Sequence, residues 1–179
     1  MNTHYSTLLL AFLLLILIVP PVVGDEPPKD GPHVEYYENG KKKLEGHYKD
    51  GKKDGLGTGW YENGKKQWES RYKDGKLEGL QTVWYDNGQK KLDAHYKDGH
   101  PDGLAIAWYE NDQKQWESRH KNGKQVGLAI SWYENGQKQW ESHYKDGKRD
   151  GLATWWSESG KKQKEIQYKD GKLISEKVF

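Results

Sequence analysis

The sequence predicts an all-β fold, an elongated array of antiparallel hairpins with two strands in each 24-residue repeat. Three observations predict it. The aromatic residue that opens each copy falls at Tyr36, Trp60, Trp84, Trp108, Trp132 and Trp156, every step 24 residues. Two turn signals keep the same step: the Gly after the first turn at Gly40, Gly64, Gly88, Gly136 and Gly160, with Asp112 in the fourth copy, and the Gly of the second turn at Gly51, Gly75, Gly99, Gly123, Gly147 and Gly171. The segments between the turns are rich in Trp, Tyr, Thr and Leu and show no 3.6-residue period, which is the signature of short strands. A fixed period without insertions marks a repeat array.

The first element is a leader. Residues 8–19, LLLAFLLLILIV, are continuously apolar, and Pro20 and Pro21 stop the run. About 12 residues fall short of the ~20 of a membrane-spanning helix but suit the apolar core of a signal peptide. Val22 and Gly24 fit cleavage before Asp25. Residues 1–24 are therefore read as a signal peptide. An uncleaved N-terminal membrane anchor, residues 8–23, is the alternative, because MNTHYST carries no Lys or Arg. Either reading places the rest of the chain outside the cytoplasm: secreted, periplasmic or bound to the cell envelope. Residues 25–32, DEPPKDGP, read as a Pro-rich linker, and 33–179 as a six-copy repeat domain.

The body of the chain is polar for an ordered protein. Only 33% of residues are hydrophobic, 31% are charged, and the mean hydropathy is -1.16. Such a composition favours disorder when apolar surface is too scarce to offset chain entropy. The 9 Trp and 12 Tyr reverse that balance, since each ring can bury roughly 150–250 Å². The 29 basic and 27 acidic residues give a net charge of +2 and are interspersed in every copy. That is a solvated face and not the one-signed stripe of a nucleic-acid binder. There is no cysteine, so disulfides, thiolate metal sites and a Cys nucleophile are excluded.

Within a repeat, Asn-Gly and Asp-Gly supply the positive φ that tight hairpins need. A three-residue Glu62-Asn63-Gly64 loop, a type I turn with a G1 bulge, pairs Trp60 with Lys66 and Thr58 with Trp68. Leu56, Thr58, Trp60, Trp68, Ser70 and Tyr72 then share one face, and Gly59, Tyr61, Lys65, Gln67, Glu69 and Arg71 the other. Only this parity separates apolar from charged residues under the period-two rule. A two-residue loop would put Trp60 and Trp68 on opposite faces. Stacked copies give inward ladders: Trp60, Trp84, Trp108, Trp132 and Trp156; Leu56, Leu80, Leu104, Leu128 and Leu152; Tyr48, Tyr72, Tyr96, His120, Tyr144 and Tyr168. Twist is expected to roll this aromatic face inward. At two strands per copy the array is about 55–60 Å long. The tail LISEKVF, 173–179, is expected to pair as a closing strand and to give Val178 or Phe179 to the core.

The blocks Tyr144-Lys145-Asp146-Gly147-Lys148, Gly151-Leu152 and Trp132-Tyr133-Glu134-Asn135-Gly136, with their counterparts, resemble the MORN repeat in its bacterial variant form. The resemblance covers nearly all of 34–179. It implies antiparallel hairpin arrays that are not enzymes by themselves and that serve scaffolding, dimerisation and membrane-proximal roles. One group with this variant pattern consists of antitoxins of bacterial toxin–antitoxin systems. The chain departs from an intracellular antitoxin in its leader. It departs from the repeat pattern at Asp112, at His120, and at Ser157, Ser159 and Lys164.

The polar residues give no catalytic set. His47, His95 and His143 hold one repeat position two copies apart, about 19 Å by strand spacing, whereas zinc ligands lie near 2 Å from a common centre. No metal or other cofactor is expected. Glu45, Glu69, Asp93, Glu117, Glu141 and Glu165 form a row with Lys or Arg nearby, for which cross-strand salt pairing is expected. A repeated sequence makes a repeated surface, not one pocket. The expected function is therefore a non-enzymatic scaffold, exported or membrane-anchored, that binds a macromolecular partner, foremost a protein, as a single chain or a homo-oligomer. No nucleic acid is expected, and a membrane only through an uncleaved leader. The candidate binding strip is Tyr37, Tyr61, Tyr85, Tyr109 and Tyr133, because Tyr is enriched at interfaces. Two other functions are carried beside it: an antitoxin-like role, and an envelope carbohydrate-binding module.

Overall fold

A computed structural model describes residues 29–179. The leader and most of the Pro-rich stretch lie outside the described residues. The strands are β1 (Gly31–Tyr36), β2 (Lys42–Lys49), β3 (Lys52–Lys53), β4 (Gly55–Trp60), β5 (Lys66–Lys73), β6 (Lys76–Trp84) and β7 (Lys90–Lys97). They continue as β8 (His100–Trp108), β9 (Lys114–Lys121), β10 (Lys124–Trp132), β11 (Lys138–Lys145), β12 (Lys148–Trp156), β13 (Lys162–Lys169) and β14 (Lys172–Val178). All belong to one sheet in chain order, with β3 pairing only β2. Every pairing is antiparallel. The expected array of hairpins, two strands to a repeat, is what forms.

Both turns follow from their residues. In the first, Gly64 N–H donates to Tyr61 O at 2.8 Å and Tyr61 N–H to Lys65 O at 2.9 Å. Gly64 sits at φ 91°. This is the expected loop of Glu62-Asn63-Gly64 with a Gly in the left-handed region. In the fourth copy Asp112 adopts φ 65° there, which its Cβ makes less favourable. The second turn, Asp74-Gly75, has φ 50° and 82°. Positive φ at both central residues is the type I′ turn that suits the twist of the flanking strands.

The register beyond the first turn differs from the sequence reading. Trp60 pairs with Lys66 as expected, but Gly59 pairs with Trp68 and Thr58 with Glu69. Gln67 is an inserted residue, a second β-bulge next to the turn. The same shift recurs in every hairpin of this type. Trp60 and Trp68 therefore face opposite sides. The single aromatic face predicted from parity is replaced by two faces, each with its own ring row. Trp68, Ser70 and Tyr72 share one side with Gly57 and Gly59; Leu56, Thr58 and Trp60 share the other with Glu69 and Arg71.

The core lies on the Trp68 side. A seam of small residues runs along it, with Ser70, Ala94, Ser142 and Ala153 all 0% exposed. Rings cover the seam from both flanks. Trp68 and Trp140 are buried on one flank, and Tyr48 and Tyr96 on the other. A Cβ on Gly59 would stand 2.2 Å from Trp68 Nε1, so the indole lies directly over the neighbouring strand. The opposite face is less covered: the Leu ladder expected inward is exposed at Leu56, Leu80, Leu128 and Leu152, by 40–45%. The tail pairs as expected, β13 with β14. Val178 and Phe179 do not join the core, being 72% and 56% exposed. Phe179 instead receives the Lys162 ammonium at 5.3 Å, as Trp156 receives that of Lys138.

Two serines of the seam should behave oppositely. Ser142 Oγ is buried without a hydrogen-bond partner, and Ala94 fills the same repeat position. Ser142→Ala should raise stability by up to about 1 kcal/mol, because it removes an unsatisfied group. Ser70 Oγ accepts from Gln81 Nε2 at 3.1 Å, so Ser70→Ala should lower stability by about 1 kcal/mol or more. Urea unfolding of both variants, compared at equal m-value, checks the contrast.

Candidate binding surface

The Tyr row stands at the first turns. Each hydroxyl donates to a main-chain carbonyl of the next repeat: Tyr37 to Trp60 O at 2.6 Å, Tyr61 to Trp84 O and Tyr85 to Trp108 O at 2.8 Å, Tyr109 to Trp132 O at 2.9 Å, Tyr133 to Trp156 O at 3.0 Å. All five side chains are half-buried. Burial holds the hydroxyls of Tyr61, Tyr85 and Tyr109 above the ordinary phenol range. The row thus ties repeats together, and its rings remain partly open at the turn end of the sheet.

The Trp row carries a second repeated unit. The ammonium of Lys66 lies 5.7 Å from the Trp84 ring and also pairs with Glu69. The unit repeats as Lys42 with Trp60 and Glu45, Lys90 with Trp108 and Asp93, Lys114 with Trp132 and Glu117, and Lys138 with Trp156 and Glu141. The ion pairs join residues three apart on one strand, not across strands as expected. In a regular strand such residues face opposite sides; the inserted Gln67 turns Lys66 and Glu69 to the same side. The Trp ladder of the sequence reading exists, but as a half-buried row on the less covered face.

Beside it runs a row that parity reasoning hid. Leu56 pairs with Arg71, Leu80 with His95, Leu104 with Arg119, Leu128 with His143 and Leu152 with Gln167. The pairing partners are all exposed. His47, His95 and His143 stay two repeats apart, and among the described residues no group of three His, Cys, Asp or Glu converges on a metal position. A cavity near Gly46, Tyr48, Lys53 and Tyr72 measures about 10 Å³, room for one water.

His120 takes the place of an inward Tyr, and its Nδ1 is buried with no partner. Burial lowers its pKa from the ordinary imidazole value. The unfolded chain takes up this proton near about pH 6.5, and the folded chain only at lower pH. Across that window the unfolded state binds more protons, so stability is full above it and falls as pH drops through it. Melting temperatures of the native chain and of His120→Tyr should therefore diverge as pH falls from about 7 to about 5, the native chain losing more. Tyr109→Phe, which deletes one inter-repeat bond, should cost about 1 kcal/mol at every pH, read by the same melts.

The sequence pattern of the MORN repeat variant matches residues 29–50, 77–98, 125–146 and 149–170. These windows step by 48, 48 and 24 residues, one phase of the 24-residue period. No curated protein matches the chain. MORN repeats are generally protein- or membrane-interaction repeats, and proteins built from them are typically non-catalytic scaffolds. With its hairpin array, its turns and its four matched windows, the chain belongs to the MORN repeat variant family.

Proposed function

We propose that the chain is a non-enzymatic scaffold, exported or membrane-anchored, that offers a repeated surface to a protein partner. The observation that carries this reading is the recurrence of the same groups on the less covered face of successive hairpins, the Lys–Trp–carboxylate unit and the Leu row with its Arg and His partners. An extended partner gains from such repetition, since each further contact is made at high effective concentration. The Tyr strip is a candidate contact within the same reading. Its hydroxyls already donate to Trp carbonyls, so its rings rather than its hydroxyls would make the contact. The apolar run 8–19 supports export.

Fractionation of the native source, with mass spectrometry of the recovered N-terminus, tests the location. Recovery outside the cytoplasm, beginning at Asp25 or with an intact leader in the membrane fraction, is expected. Recovery in the cytoplasm would overturn export and favour the antitoxin-like role. Lysine cross-linking in the recovered fraction tests the partner: cross-links to one protein at fixed stoichiometry are expected, and cross-links only within the chain would overturn the scaffold reading.

A further inference from the structure

The Leu row and its exposed polar partners, Arg71 and Arg119 among them, form a strip about 10 Å in period, two strand spacings per repeat. Leu56, Leu80, Leu128 and Leu152 are exposed by 44%, 43%, 40% and 45%. Leu104, between Leu80 and Leu128, is half-buried, so the row is a line of aliphatic side chains with one recessed member. Arg71 and Arg119 lie in that line with no ion pair, hydrogen bond or ring contact among the described residues. The nearest row of carboxylates cannot neutralise them, because Glu69, Asp93, Glu117 and Glu141 are held by Lys66, Lys90, Lys114 and Lys138. The strip is thus aliphatic and carries fixed positive charge at Arg71 and Arg119, two repeats apart.

We infer that this strip is the docking surface for an acidic amphipathic α-helix of a partner protein, an inference that rests on the scaffold reading above. Three features select that occupant. Seven residues of helix rise about 10.5 Å, so apolar side chains one heptad apart meet leucines of successive repeats. Arg71 and Arg119 stand two repeats apart, about two heptads, where they meet Glu or Asp on the flank of the same helix. The apolar groups are aliphatic, which suits the apolar face of a helix, whereas polyproline segments dock on aromatic-lined grooves.

The test uses the full chain and a labelled synthetic 28-residue helical peptide with Leu at every seventh position and Glu beside it, followed by fluorescence anisotropy. Saturable binding is expected, weakened at least about tenfold in a peptide with Lys in place of Glu, the effect of about 1.4 kcal/mol. The double variants Arg71→Glu/Arg119→Glu and Leu80→Ser/Leu128→Ser should each weaken it about as much at a temperature below the melting transition of either variant. Absence of saturable binding, equal affinity for both peptides, or unchanged affinity of the variants overturns the inference. So does binding to phosphatidylcholine vesicles containing anionic lipid with none to the peptide, which would assign the strip to a membrane. Cross-links to a partner protein that leave the Leu row aside sink the strip and spare the scaffold reading; cross-links to no protein sink both.

Discussion

A sheet one layer thick has nothing to cover either face except its own side chains. In this chain that constraint is met by one inserted residue per repeat. Gln67 and its counterparts turn the strand over between Lys66 and Trp68. The two indoles of the hairpin then go to opposite faces, and each face receives a row of rings. The same inversion brings Lys66 and Glu69 to one side, where the ammonium serves both the carboxylate and the next Trp ring. Without the bulge, one face would hold Trp60, Trp68 and Tyr72 together and the other would be left with Tyr61 and the charged side chains.

Small residues are the complement of this arrangement. A ring can lie over a neighbouring strand only where that strand has little side chain, and Gly59 under Trp68 is the limiting case. Polar ties then join each repeat to the next and reach no further. Tyr hydroxyls span one repeat at the first turn. At the second turn a carboxylate of one repeat accepts the turn N–H of the next, as Glu78 does from Asp98 at 2.9 Å and Asp102 from Asn122 at 2.9 Å. Val126 stands where the next such carboxylate would be, within two residues of Lys124 and six of His120. Stability in such arrays is close to a sum over neighbours, and the joint at Val126 lacks the tie that Glu78, Asp102 and Asp150 supply elsewhere.

The period, the places of both turns, the type of the first and the hairpin topology were legible in the sequence because Gly, Asn and Asp have strong local reasons to stand where they do. The pairing of Trp60 with Lys66 followed from the loop length. The parity beyond it was not legible, because a bulge needs no special residue and Gln67 differs little from its neighbours. The rule that one face is apolar holds for a sheet packed on something, and this one is not. The misreading carried the Leu row inward and concealed its pairing with Arg and His. The Tyr row was found by spacing alone, yet its hydrogen bonds to the following Trp carbonyls were not, since side chain to main chain bonds 23 residues apart leave no mark in the pattern.

A surface of this kind discriminates by pitch. Each Leu with its polar partner on the neighbouring strand is a small contact, and one such contact cannot hold a partner. Several in line can, provided the partner repeats at the same interval, because later contacts form at the effective concentration set by the first. The interval is fixed by hydrogen-bonded strand spacing, among the least variable lengths in protein structure. A chain that keeps six copies without an insertion therefore keeps its contacts in phase. On the docking inference, the constant spacing between copies, rather than any one side chain, would give the exposed rows their capacity to select.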